Sequence, residues 1–443
     1  MQTLPSGHDS GLVLAPFRAV RYDLSRVSDL ANVTSPPYDV IGPGTLDELL
    51  AASPYNIVRL ILPAITLDAH AAGAVAASRL GSWLASGVLG ADISPALYVY
   101  EQNGPGFVQR GLIGLVGVDA PAAAGILPHE GVMPGPVTGR RELMMATRAN
   151  LEPIFLVYNG GGGEGAGGHG GPAGSASALV DAVADQRPPL VATVTSDGVT
   201  HRLWRLADPA EHAAVAADLA GRTAVIADGH HRYAAYRQLR DLMRGSGQGD
   251  GPWDYGLAFL VDADAYPPRL GAIHRVIPHL ELADAARLAA EAFTVEDLAG
   301  PAGEGLAGAL ERLAAAGRGG TAFLLAGQAG FRLLTSPDPE QLAAAMPPGA
   351  SPRWRALDAS IMQELLLARL WSIKDNERDV LISHDAGEAV GMALEAGGTA
   401  VICNPVPFAA VKEVAARGEC VPRKSTSFGP KPRTGLVLRT FEP

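Results

Sequence analysis

The stretch Ala224–Ala234, A-V-I-A-D-G-H-H-R-Y-A, decides the reading of the chain. Thr223 to Ala227 is a short apolar run of the kind that forms a buried strand. Asp228 and Gly229 end it, and glycine accepts backbone conformations closed to other residues. From Tyr233 the pattern turns helical, with Ala234, Ala235, Leu239, Leu242 and Met243 expected on one face. Asp228, Gly229, His230, His231 and Arg232 are thus gathered in a strand-to-helix turn. A helix start offers free N–H groups and partial positive charge, which suit an anion. Arg232 adds a planar fork matched to phosphate oxygens. The two imidazoles add donors or a base near neutral pH, and Asp228 can order a histidine or hold Mg²⁺. The turn reads as a phosphate-handling element. The bland alternative is a polar surface turn that caps a helix.

Composition narrows the classes of function. A chain of 443 residues with 47% hydrophobic content can bury a large core and form two or three lobes. Its net charge of −11 argues against a general nucleic-acid binder, which would present a basic face. Two cysteines, Cys403 and Cys420, are too few for a disulfide framework and lack metal-site spacing, so a reducing cytoplasm is the expected setting. No secretory leader and no apolar run long enough to span a bilayer are apparent.

Outward from the central stretch, strands and helices alternate, which gives a mixed α/β (α+β) reading. Phe17–Tyr22 reads as a strand, and Pro36-Pro37-Tyr38-Asp39 is a rigid segment able to present Ser35, Tyr38 and Asp39 in fixed directions. Asn56–Leu62 reads as an apolar strand. Ala96–Gln102 and Phe107–Val118 flank Asn103-Gly104-Pro105-Gly106 and predict a hairpin. Glu130 follows an apolar run beside His129 and is a candidate general base. A helix is expected over Glu142–Ala149, preceded by Arg140 and Arg141, which can bind an anion or face solvent. Gly160–Ser177 is glycine-rich and reads as a flexible, dispensable insertion, with His169 solvated. Ile154–Tyr158 and Tyr255–Val261 are further strands, and Asp358–Leu370 a helix. In Pro422-Arg423-Lys424-Ser425-Thr426, two cations and two hydroxyls share one loop and can clamp an anion.

The turn A-D-G-H-H-R-Y-A resembles the D-G-x-x-R element of the ParB/sulfiredoxin-like superfamily, which includes nucleotide-using phosphotransferases and CTP-binding partition proteins. The whole chain resembles the DUF1015 family. That resemblance is carried by Ser35–Ile41 (S-P-P-Y-D-V-I), Ser53–Leu60 (S-P-Y-N-I-V-R-L), Pro128–Glu130 (P-H-E), Ala146–Tyr158, the central turn and Pro422–Thr426 (P-R-K-S-T). It implies a ParB-like strand–turn–helix core, with an N-terminal α/β lobe over 1–159, the insertion over 160–177, the core over 178–280 and a C-terminal α/β lobe over 281–443. Where related chains read Asp-Arg, this one has Gly139-Arg140, so an acidic partner is missing there.

Three classes of function compete. The first is a phosphotransferase using ATP or ADP, with Mg²⁺ bridging the phosphates. In it Asp228, Gly229, His230 and Arg232 cradle the nucleotide, Glu130 or His231 takes a substrate proton, and His129, Arg140, Lys424 and Ser425 hold the substrate. Resemblance of the turn to that of a free-serine kinase makes a serine-like hydroxy amino acid the leading substrate, and the hydrolytic direction would make a phosphatase. The second is a ParB-like nucleotide-binding regulatory protein, a CTP or ATP switch, whose DNA-reading module is not evident. The third, a metal nuclease, wants two or more clustered carboxylates, and Asp228 stands alone in its turn. The expected partners are therefore a small molecule and a nucleotide, with neither nucleic acid nor membrane.

Overall fold

The computed structural model describes residues 11–63, 68–118, 125–160, 175–298, 305–376 and 378–441. It is a mixed α/β protein and divides into two compact units, one of residues 1–268 with 430–443, the other of residues 269–429. No helix among the described residues is long and apolar enough to cross a membrane.

The first unit is built on a nine-stranded mixed sheet. Its centre is the predicted hairpin, Leu97–Gly104 against Phe107–Gly117, in antiparallel register from Tyr98↔Ile113 to Gly104↔Phe107. Where the first arm ends, Leu14–Ala15 continues the edge by pairing with Val116 and Leu115. On the other side Tyr255–Asp262 runs antiparallel to the long arm and parallel to Ile154–Tyr158. Ala224–Asp228 then pairs antiparallel with Ile154–Tyr158 and parallel with Ile126–Leu127. Strands drawn from 97–158 and from 191–262 thus share one hydrogen-bonded sheet, on either side of the glycine-rich segment in the sequence. Five consecutive buried residues in both Ile154–Tyr158 and Ala224–Asp228 explain their unbroken apolar runs, since both faces are covered.

Several local expectations are corrected. Asn56–Leu62 is not a strand: Asn56 Oδ1 accepts from the Val58 N–H at 2.9 Å and its Nδ2 donates to the Asn32 carbonyl at 2.8 Å, which fixes a turn into the helix Val58–Ile61. The helix expected from Glu142 begins at Pro134 and runs to Thr147, because prolines are tolerated in a first turn whose N–H groups have no intrahelical acceptor. The central helix starts at His230, not Tyr233, and runs to Gly245. Its buried stripe is Arg232, Tyr233, Ala235, Tyr236 and Leu239, while Leu242 is exposed. Asp358–Leu370 is α-helical only to Ile361, and Met362–Leu370 continues as a wider π-helix. Of the glycine-rich segment, 161–174 lies outside the described residues, as do His169 and residues 1–10. Its ends are built in: the Gly160 N–H and the Ser177 hydroxyl both donate to Asp262.

The second unit carries a six-stranded antiparallel sheet, in spatial order Thr294–Asp297, Gly330–Thr335, Ala322–Gly327, Thr399–Cys403, His274–Ile277 and Leu381–Ser383. One core, with Phe293, Phe323, Leu365 and Val401, fills one side, and Leu313, Leu324, Ala393 and Ile402 belong to another.

Gly229 is a joint of the first unit that cannot be replaced cheaply. It takes φ 94°, and a Cβ there would come within 3.0 Å of Ile154 Cγ2 and 3.2 Å of Arg232 Nε. Gly229→Ala is expected to cost about 1–3 kcal/mol of unfolding free energy, measured by urea titration. A change below about 0.5 kcal/mol would contradict this description of the turn.

Candidate functional site

Parallel pairing of Ala224↔Ile126 and Val225↔Leu127 carries the two strands to a common end. The segment 128–130 therefore emerges beside the turn 228–232, a hundred residues later in sequence. There Glu130 Oε2 lies 3.8 Å from His230 Nδ1, and the His129 N–H points to His230 Nε2 at 3.4 Å. Glu130 and the turn meet in one place, as the sequence predicts. His230 Nε2 faces a donor, so the ring proton belongs on Nδ1, directed at the Glu130 carboxylate. Burial, reinforced by His129, His231 and Lys431, holds the His230 pKa well below its ordinary value, so the ring is neutral at pH 7. Burial likewise lowers His129 to about 4, and the two rings stack edge to face at 4.6 Å. His231 is only half-buried, and its Nε2 accepts from the Met133 N–H at 3.1 Å. That bond ties the loop before helix Pro134–Thr147 to the turn and occupies the nitrogen that would otherwise take a proton.

The cations of the site stand differently from the sequence reading. Arg232 is 2% exposed, among the largest fully buried side chains. Its guanidinium donates to the Asp228 carboxylate and to the Pro153 carbonyl at 2.6 Å. The fork expected on a phosphate is thus engaged by the protein itself, which makes Arg232 a positioning residue in this structure. Asp228 carries a second cation: Lys431 Nζ is 2.6 Å from its Oδ1 and 3.1 Å from Asp39 Oδ2. Asp228 is therefore not alone, and Asp39 from the rigid Pro-Pro-Tyr-Asp segment completes a carboxylate pair bridged by lysine. Burial works to raise the Asp39 pKa, but Lys431 and Arg232 outweigh it and hold it below the ordinary value. The same two acids keep Lys431 above its ordinary value against burial.

Arg140 lies beside this group. Its guanidinium sits 4.2 Å over the Tyr38 ring, donates to the Ile61 carbonyl at 2.9 Å, and reaches Glu152 at 3.5 Å. Glu152, 4% exposed, accepts from the Tyr38 N–H, and burial raises its pKa against the pull of Arg232 and Arg140. Glu152 and Lys431 were not legible as site residues. The only signals were an acid set immediately before a buried strand, and a lysine following Gly429-Pro430. Lys424 and Ser425 lie in the second unit. There the fully buried Arg275 donates to the carbonyls of Arg423 and Lys424, and the Ser425 hydroxyl donates to Pro422.

At the helix start, Gly229 has no side chain to accept from the first-turn N–H groups, which lack intrahelical partners. This end is disposed toward an anion, with Lys431 close by. It does not fit the Mg²⁺ expected on Asp228: both carboxylate oxygens of that residue already face cations, Arg232 on one and Lys431 on the other. Among the described residues no group of three or more His, Cys, Asp or Glu side chains is placed to hold a metal ion.

A family model described as "Protein of unknown function (DUF1015)" matches residues 14–360. None of the curated proteins compared with the chain matches it. Among solved structures, a free serine kinase in complex with AMP matches at 15% identity and a TM-score of 0.33, over 73% of this chain and 91% of that one. A conserved hypothetical protein from Pyrococcus furiosus matches at 13% identity and 0.35, over 74% and 95%. SbnI from Staphylococcus aureus, truncated at its C-terminus, matches at 11% identity and 0.36, over 74% and 87%. Likeness at this level assigns no activity.

Two outcomes follow from the geometry. Arg232→Met removes one partner of a buried ion pair and is expected to cost about 3–5 kcal/mol of stability; a loss under 1 kcal/mol in chemical unfolding would contradict its buried role. Acidification should also destabilise the protein. His129, His201, His230 and His274 are held neutral by burial, so below pH 6.5 only the unfolded chain takes up their protons. Glu152 and Asp358, raised by burial, act in the opposite sense. The net expectation is a loss on the order of 3–6 kcal/mol between pH 7 and pH 5. Unchanged or rising stability over that range would contradict it.

Proposed function

The chain belongs to the DUF1015 family, and on that premise we propose that it is a nucleotide-dependent phosphotransferase acting on a small hydroxylated metabolite, with a serine-like amino acid as the leading substrate. The observation that carries this reading is the Glu130 carboxylate 3.8 Å from the Nδ1 of a neutral His230, beside a helix start that a glycine leaves without a side-chain cap. A base and an anion cradle are thereby adjacent, which is what transfer of a phosphoryl group to a hydroxyl requires. The likeness of the D-G-H-H-R turn to that of ParB-like phosphotransferases supports the same class.

In this reading the donor, ATP or ADP, lays its terminal phosphates against the N–H groups of residues 230–232. The substrate hydroxyl oxygen bonds to the terminal phosphorus as the bridging P–O bond breaks, and the shortened nucleotide leaves. The hydroxyl proton passes to the Glu130 carboxylate. His230 stands beside that carboxylate, its Nδ1 3.8 Å away. Lys431 neutralises charge on the phosphates, while Arg232 acts indirectly by holding Asp228, and with it the turn, in place. Arg140 and His129 border the acceptor side. Mg²⁺, where it accompanies the nucleotide, is carried by the phosphates and not by Asp228. Water in place of the hydroxyl would make the same site a phosphohydrolase.

The test is to incubate the protein and its Glu130→Gln variant with ATP or ADP, Mg²⁺ and either L-serine or phosphoserine, following phosphorus species by ³¹P NMR. The parent is expected to transfer or release phosphate. Glu130→Gln is expected to be about 10²–10⁴-fold slower, with nucleotide affinity within a few-fold of the parent. Equal rates would remove Glu130 as the base. Nucleotide binding with no turnover in either protein would favour the regulatory, nucleotide-switch alternative.

A further inference from the structure

The second unit holds a cavity of about 300 Å³ whose lining includes Thr321, Arg353, Asp358, Asn404, Val406 and Ala410. That volume stands at the lower end of the range for ligand pockets and suits a small metabolite. Its lining includes both an acid and a base. The mostly buried Asp358 carboxylate accepts from the Thr321 hydroxyl and the Ala322 N–H, which anchor it to the start of strand Ala322–Gly327. Among the described residues no Lys, Arg or His side chain lies within ion-pair distance of it. A carboxylate taken out of water without a cation is costly, and burial accordingly pushes this one up to about 6. Arg353 also lines the cavity and is paired with Glu413 of helix Phe408–Ala416, at 2.9 Å. That helix begins at the cavity with Pro407 as its N-cap, which offers no side-chain acceptor to the first-turn N–H groups. Asn404 donates through Nδ2 to the Leu313 carbonyl, and Val406 and Ala410 supply apolar lining.

We propose that this cavity binds a small zwitterion of the α-amino acid class, its ammonium on Asp358 and its carboxylate toward Arg353 and the first turn of helix Phe408–Ala416. An ammonium supplies the cation that Asp358 lacks, the carboxylate meets the Arg353 guanidinium and the uncapped N–H groups of the helix start, and a short side chain fills the apolar remainder. The inference stands on the second unit alone and does not depend on the activity proposed for the first.

The experiment is calorimetric titration of the whole protein with L-alanine, L-serine and L-leucine, with propionate and propylamine as singly charged controls. At least one amino acid is expected to bind, with both controls at least tenfold weaker. Asp358→Asn, which keeps the shape and removes the charge, should weaken binding at least tenfold, whereas Glu130→Gln should leave it unchanged. If Asp358→Asn fails to fold, Arg353→Gln serves in its place, with the same tenfold loss expected. Absence of binding by all three amino acids overturns the proposal, as does parent-like affinity in the folded cavity variant. Loss of binding in Glu130→Gln overturns it too, because the amino acid would then be occupying the first unit's site.

Discussion

The first unit depends on the buried pairing of Arg232 with Asp228. Both residues belong to the strand–turn–helix, yet their other partners come from far along the chain: the Pro153 carbonyl ahead of strand Ile154–Tyr158, and Lys431, which also holds Asp39. Three distant segments, at Asp39, Pro153 and Lys431, are thus fastened to one carboxylate–guanidinium contact. Such a pair contributes little net stability compared with an apolar substitute of equal volume, but removing one member leaves a buried charge without compensation. What it secures is position. The Gly229 backbone, the helix start and the two histidines are held where segment 128–130 arrives from the parallel neighbouring strand.

Neutrality is the second feature of the site. Lys431 and Arg232 are offset by Asp228 and Asp39, while burial keeps His129 and His230 uncharged. A polyanion approaching the helix start would meet N–H groups and a lysine already drawn to that point by carboxylates. Loosening of the Lys431 bridge toward the ligand would give up its ion pairs with Asp228 and Asp39, in exchange for contact with a polyanion. The second unit shows the contrary pattern, a carboxylate that lines a cavity with, among the described residues, no cation within ion-pair distance.

How much of this was legible in the sequence follows the range of the forces involved. The hairpin around Asn103–Gly106 and the strand before Asp228 declare themselves through local apolar pattern and turn residues, and both are present. The meeting of Glu130 with the turn 228–232 could be anticipated because each supplies half of a plausible chemistry. Arg232 was misread because a fork suited to phosphate is equally suited to a carboxylate, and only the fold decides which one it meets. Asn56 was misread because its side-chain bonds to Val58 and Asn32 outweigh the strand propensity of the residues around it. Lys431 could not be found at all: it reaches Asp39 and Asp228 across 392 and 203 residues of sequence, and no local pattern encodes contacts of that span.

The central claim is that the turn 228–232, with Lys431 and Glu130 around it, receives the phosphates of a nucleotide. A crystal structure of the protein soaked with a non-hydrolysable ATP analogue and Mg²⁺ tests it most directly. The account predicts phosphate oxygens within hydrogen-bond distance of the N–H groups of residues 230–232, with Lys431 Nζ turned toward them and the Glu130 carboxylate open to an acceptor. A nucleotide bound elsewhere, with the Asp39–Lys431–Asp228 bridge unchanged and no phosphate at the helix start, would contradict it.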